Sequence, residues 1–167
     1  MPSATWKAQR TLLIVGEGYT EEAFLNHVKQ LFAPRGCGLQ VTIKNARGKG
    51  AQHVIEWTIK QTANTAYDTV AAMLDTDADW SPAVAKRARI KKINVLKSEP
   101  CFEALMLRLL GQTPSGDAKV LKKQLAPYVN NDATRRENYA AVLTDECLAA
   151  GRSREPTIDA LLGLFWK

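Results

Sequence analysis

The chain has 167 residues, 46% hydrophobic and 24% charged, with a formal net charge of +6. This is the make-up of one ordinary soluble domain long enough for a core, and the basic excess of 23 Lys and Arg over 17 Asp and Glu points to a polyanionic partner. No apolar run approaches the ~18–20 residues of a membrane span, Met1 to Arg10 is polar apart from Trp6 with no signal-peptide core behind it, and Cys37, Cys101 and Cys147 lack any C-x-x-C spacing. A cytoplasmic protein with no membrane partner, zinc site or disulfide framework is expected.

Residues 11–16 read as a buried strand, because Leu12-Leu13-Ile14-Val15 is a continuous apolar run. After the turn Gly16-Glu17-Gly18-Tyr19, Thr20 suits a helix N-cap, and Glu21 and Glu22 suit the positive end of the helix. That helix runs to about Phe32, with Phe24, Val28, Leu31 and Phe32 on one face, and Pro34-Arg35-Gly36 stops it. Leu39 to Ile43 alternates as a half-buried strand does. A glycine-bearing loop, a helix over about 51–63 and a strand over Asp68 to Leu74 follow. Ser81-Pro82 opens a helix to about Ala88, Lys92 to Leu96 reads as a short strand, and Ser98-Glu99-Pro100 begins a strongly apolar helix to Leu110.

This alternation argues an α/β fold, a mainly parallel four-stranded sheet with helices on both faces. After Gly111 no strand is legible. Helical segments over about 117–126, 131–149 and 157–165 read as an appendage rather than a second domain. The expected organisation is an α/β core over 9–111 and a C-terminal helical extension over 112–167 packed on it.

Two acidic turns end apolar strands. In open α/β sheets ligands bind beyond the carboxyl ends of the strands, so Glu17 on the first turn and Asp75, Asp77 and Asp79 on the second could meet over one spot. In an extended chain Asp75 and Asp77 point to the same side, about 6–7 Å apart, and Asp79 joins them if the extension continues. Alternatively Asp79 caps the next helix. Mutually repelling carboxylates call for a divalent cation, Mg²⁺ or Mn²⁺. Gly16 and Gly18 let the backbone turn and leave room for a ligand, which makes Glu17 a candidate general acid/base beside the metal. Glu21 reads as a helix-dipole residue or a support to the ligands, and Glu103 as a buried carboxylate on the same edge.

Arg47-Gly48-Lys49-Gly50, at a helix start, suits phosphate without matching a P-loop. Lys44, Arg47 and Lys49 form one basic cluster and Lys86, Arg87, Arg89, Lys91 and Lys92 a denser one. With Lys97 they are the candidate nucleic-acid contacts, flanking the acidic strand end. His27 and His53 read as packing residues, and no G-x-S-x-G or Ser-His-Asp set is present.

The order hhhhxEGxTE, a glycine-bearing loop and hhhDxDxD resembles the Toprim domain of topoisomerases, bacterial primases and OLD-type nucleases. More narrowly, Ile14 to Glu21 together with Ser98-Glu99-Pro100-Cys101-Phe102-Glu103 resembles the RloB-like family of small, phage-defence-associated Toprim proteins. Their turns typically read C-E-G-x-T-E and S-N-P-C-F-E; Gly16 stands here for the cysteine and Glu99 for the asparagine. The resemblance covers roughly residues 11–110. It implies a Toprim-like (Rossmann-like) fold and Mg²⁺ held by Glu17, Asp75 and Asp77, with Asp79 as an additional acidic position. It also implies phosphodiester cleavage of DNA or RNA, in phage defence or nucleic-acid processing. Two alternatives stand beside the nuclease. One is a non-catalytic nucleic-acid-binding accessory subunit of a larger defence-system protein. The other is an aspartyl-phosphate phosphatase, because Asp75-Thr76-Asp77 after an apolar run resembles the haloacid-dehalogenase opening; the further acidic and lysine motifs of that family are not found after Asp79.

Overall fold

Two apolar runs and two alternating segments become four parallel strands: β1 (Arg10–Gly16), β2 (Leu39–Asn45), β3 (Thr69–Asp75) and β4 (Ile93–Ser98), in the order β2-β1-β3-β4. The computed structural model describes residues 9–166; most of the polar N-terminal stretch, including Trp6, and Lys167 lie outside the described residues. The central strands carry continuous apolar runs, Leu12 to Val15 and Val70 to Leu74, because both their faces are covered there. Leu12, Ile14, Ala71 and Met73 face one layer, and Leu13, Val15, Ala72 and Leu74 face the other. Helices α2 (Gly50–Asn64) and α3 (Pro82–Ile90) form that second layer through Val54, Ile55, Val84 and Ala88. No described helix is long and apolar enough to cross a membrane.

The first layer contains α1 (Tyr19–Phe32) and α4 (Phe102–Leu109), followed by α5 (Ala118–Leu125), a short 3-10 helix (Ala126–Val129), α6 (Glu137–Ala140), α7 (Asp145–Gly151) and α8 (Pro156–Gly163). Leu121, Leu125, Val129, Tyr139, Leu148, Ile158, Leu161 and Leu162 share one core cluster with Leu12, Met73 and Phe102. The C-terminal helices therefore complete a layer of the sheet. Tyr139 is fully buried, edge-on to Phe24 at 6.0 Å and to Phe102 at 6.4 Å, and its hydroxyl donates to the Ala133 carbonyl. Buried His27 bonds through Nε2 to the Leu143 carbonyl at 2.6 Å, a structural tie between α1 and the extension.

Three local expectations are corrected. Helix α1 starts at Tyr19 with Gly18, not Thr20, at its N-cap; Glu21 reaches back to accept the Gly18 N–H at 3.1 Å, half of a capping box, and the Thr20 hydroxyl donates to the same carboxylate. Helix α4 starts at Phe102, because β4 runs on to Ser98 and a cis Glu99-Pro100 bond carries the chain around to the Cys101 N-cap. The segment 131–149 is two short helices rather than one. Asn130 and Asn131 are left-handed, and the Thr144 hydroxyl caps a fresh start by accepting the Cys147 N–H at 3.1 Å.

Candidate functional site

The chain leaves β1 toward β2 on one side and returns to β3 on the other, so the ends of β1 and β3 form the switch point of the sheet. The register sets Gly16 beside Met73 and Asp75 beside Ser98. Gly16 lies close against the start of α1: a Cβ there would stand 3.0 Å from the Glu21 Cβ and 3.1 Å from the Glu22 nitrogen, so a larger residue at this position needs a few tenths of an ångström of give from the helix. Glu17 follows, its N–H donating to the Met73 carbonyl at 3.0 Å and its Oε1 accepting the Asp75 N–H at 3.1 Å. The two acidic turns are thereby joined. Asp75 Oδ1 accepts the Phe102 N–H at 2.9 Å, at the start of α4. The Asp77 N–H donates to the Pro100 carbonyl at 2.9 Å, which ties the second acidic turn to the turn after β4. That turn is in turn braced by the extension, through Arg108 bonded to the Glu99 carbonyl at 2.8 Å and to Glu155 at 3.0 Å.

Burial raises the carboxyls of Glu17, Glu21 and Glu103 above their ordinary range, with further upward pressure from neighbouring carboxylates. Asp75 sits in the middle of them. Burial first, then the charges of Glu21, Glu17, Glu103 and Asp77, push it up to about 8. Lys122, from α5, partly opposes the rise at Glu103, and the two side chains line one cavity of 340 Å³. In the sequence Lys122 is only half of a small basic pair, and nothing local indicates that the extension folds back onto the carboxylates.

Asp79 is not in this group. The strand ends at Asp75, Asp79 takes a left-handed conformation with φ of 63°, and its Oδ2 accepts the Gln52 N–H at 3.2 Å. It caps α2 from the loop before α3, over Gly50, where a Cβ would stand 3.0 Å from its carboxylate. The helix-cap alternative is met at a different helix, since Ser81 caps α3.

The basic residues also divide. Lys44 and Arg47 line a groove with Tyr19, Glu22 and Trp57 at the carboxyl end of β2, where the Lys44 ammonium donates to Gln61 Oε1 at 2.9 Å, and Lys49 is exposed at the left-handed N-cap of α2. Lys97 is exposed at the end of β4, 3.7 Å from Glu99. Lys86, Arg89, Lys91 and Lys92 are exposed, and Arg87 is paired with Glu56 at 2.8 Å. Because α3 runs antiparallel to the strands, Lys91 and Lys92 stand at the amino end of β4, roughly 16–20 Å from the carboxylates. The dense cluster therefore does not flank the acidic turn. His53 bonds to the Ala46 carbonyl at 3.1 Å and holds the loop before α2.

Among the described residues no group of three or more Asp, Glu, His or Cys side chains is placed to hold a metal ion. The chemistry of the centre nevertheless fits a hard cation: the donors are all oxygen, and Glu17 and Asp75 each use one carboxylate oxygen on a backbone N–H. Ser98 adds a second sign. Its fully buried hydroxyl, on the strand position paired with Asp75, has no hydrogen-bond partner among the described residues. A buried orphan hydroxyl costs about 1–3 kcal/mol, so Ser98→Ala is expected to be as stable as the parent or more stable in EDTA, by up to about 1 kcal/mol. Urea unfolding measures this, and a clear loss of stability would mean that the hydroxyl is bonded.

Fold and site together define an α/β protein of Rossmann-like, Toprim-type arrangement with a carboxylate centre at the switch point of a four-stranded parallel sheet. The family model described as RloB-like protein matches residues 12–153, and the chain belongs to this family. The match extends through the C-terminal helices as far as the end of α7. Neither the curated proteins nor the solved structures contain a match.

Proposed function

We propose that this protein is a Mg²⁺- or Mn²⁺-dependent nuclease related to Toprim nucleases, cleaving phosphodiester bonds of DNA or RNA in phage defence or nucleic-acid processing. The observation that carries this reading is the crowding of Glu17, Glu21, Asp77 and Glu103 around half-buried Asp75. Such a concentration of negative charge at a ligand-binding strand end is compensated most simply by a cation. Glu17, Asp75 and Asp77 would hold the metal, which supplies charge neutralisation at the phosphate and an activated water. Glu17, raised by burial yet fixed by the Asp75 N–H, takes or returns a proton. Glu21 and Glu103 support the ligands from behind, with Gly16 and Gly18 keeping the turn open. Lys44, Arg47 and Lys49 receive the phosphates next to the centre.

The test is cleavage of labelled single- and double-stranded DNA and RNA in Mg²⁺, Mn²⁺ or EDTA. Glu17→Gln, which keeps the acceptor for the Asp75 N–H, is expected to fold normally and to lower cleavage at least about 100-fold, the scale of a lost general acid or base. A variant cutting at the parental rate would remove Glu17 from the site. That no three-ligand group stands among the described residues favours one second reading, a nucleic-acid-binding subunit that acts only beside a larger defence protein. Salt-sensitive binding without cleavage by the parent would select it.

A further inference from the structure

The flank of the sheet carries a groove to which the nuclease reading gives no role. It runs between α3 and β4, encloses about 520 Å³, and is lined by Trp80 at the carboxylate end, Arg89 and Lys92 at the other, and Ala85, Ala88 and Val95 between them. Trp80 comes three residues after Asp77. The indole is partly buried against the second core layer, and the ammonium of exposed Lys97 stands 5.9 Å from its ring centroid. Arg89 and Lys92 are exposed and, among the described residues, paired with no carboxylate, whereas the neighbouring Arg87 is held by Glu56. The groove thus joins an aromatic surface beside the acidic centre to two uncommitted cations about one strand length away.

We infer that this groove is the path of a single-stranded nucleic acid to the carboxylate centre, with one base stacked on Trp80 and the phosphates of the next nucleotides on Arg89 and Lys92. The inference rests on the nuclease reading for what happens at the carboxylate end. A lysine on an edge strand also discourages pairing with other chains, and that accounts for Lys97 on β4 but not for an indole at the groove mouth. Cations alone attract the phosphates of either duplex or single strand. An aromatic ring stacks only on a base released from its pair, which selects the single strand. The same path explains why the dense basic cluster lies away from the carboxylates: it holds a strand several nucleotides from the bond at the centre.

The test is binding of short labelled single strands of DNA and of RNA, and of the matching duplexes, to the full chain in EDTA at several salt concentrations. Single strands are expected to bind tighter than duplexes. Trp80→Leu, which keeps apolar volume without a π face, should weaken single-strand binding about 10-fold and leave duplex binding unchanged, and Trp80→Phe should keep most of the affinity. Arg89→Glu with Lys92→Glu should lower the salt slope for single strands by about 1.4. Single-strand affinity that is unchanged in Trp80→Leu, or a parental preference for duplex, overturns the inference. If Trp80→Leu fails to fold, the exposed double variant decides, and unchanged affinity there overturns it equally. Metal-dependent cleavage is measured separately: its absence beside intact, Trp80-dependent binding rejects the nuclease reading alone, and its presence beside Trp80-independent binding rejects the groove alone.

Discussion

Asp75→Asn is expected to abolish metal-dependent cleavage and, in EDTA at pH 8, to make the protein more stable than the parent. The folded Asp75 carboxyl holds its proton up to about 8, against an ordinary value of 3.8. Between those values the folded chain binds more protons than the unfolded chain. Stability therefore declines as pH rises from about 4 and levels off above about 8. One proton contributes at most roughly 1.4 kcal/mol per pH unit. The raised carboxyls of Glu17, Glu21 and Glu103 act in the same direction. Asparagine still accepts the Phe102 N–H and removes the central charge, for a gain of about 2 kcal/mol at pH 8. Saturating Mg²⁺, at about 100 times its dissociation constant, should add about 2.7 kcal/mol to the parent and far less to the variant. Urea unfolding between pH 5 and 9, with EDTA and with Mg²⁺, measures both effects. A parent whose metal-free stability is flat over that range, or a variant weaker than the parent at pH 8, would rule out this account of the centre.

The second large effect belongs to the extension. Tyr139→Ala is expected to lose about 3–5 kcal/mol, because it empties a fully buried site between Phe24 and Phe102 and strands the Ala133 carbonyl. Tyr139→Phe keeps the rings and gives up only the hydroxyl bond, about 1 kcal/mol. Ending the chain at Gly111 removes from the cluster that holds Leu12 and Met73 the buried side chains of Leu121, Leu125, Val129, Tyr139, Leu143, Leu148, Ile158, Leu161, Leu162, Leu164 and Phe165. At about 1.5–3 kcal/mol for each buried side chain, that exceeds the ~5–15 kcal/mol by which whole domains are stable. The shortened chain should be insoluble or lack a cooperative thermal transition by circular dichroism. A folded, monomeric product would show that the α/β part stands alone.

The α/β class was legible because burial on both faces leaves a strand little choice but a continuous apolar run. Leu12 to Val15 and Val70 to Leu74 therefore announced the central strands. Glu17 and Asp75 were legible as neighbours because parallel strands end on one edge. Three things were not. Thr20 has the chemistry of a cap, but the capping box of Glu21 on Gly18 won the helix start. Asp79 continues the alternation of Asp75 and Asp77, yet a left-handed turn sends it to the N-terminus of α2. Lys91 and Lys92 are near the acidic turn in sequence but far from it in space, because α3 runs back along the sheet before β4 begins.

The alternation of strands and helices, the apolar faces, and the two acidic turns at strand ends are written in the order of the residues. These depend on periods of two and 3.6 residues and on local turn chemistry, which adjacent residues carry. Three further arrangements became visible only in the folded chain: Lys122 lies beside Glu103, Ser98 is buried without a partner among the described residues, and Trp80 opens a groove toward Arg89 and Lys92. Those arrangements are set by how helices far along the chain pack against one edge of a sheet, and no local pattern encodes that distance.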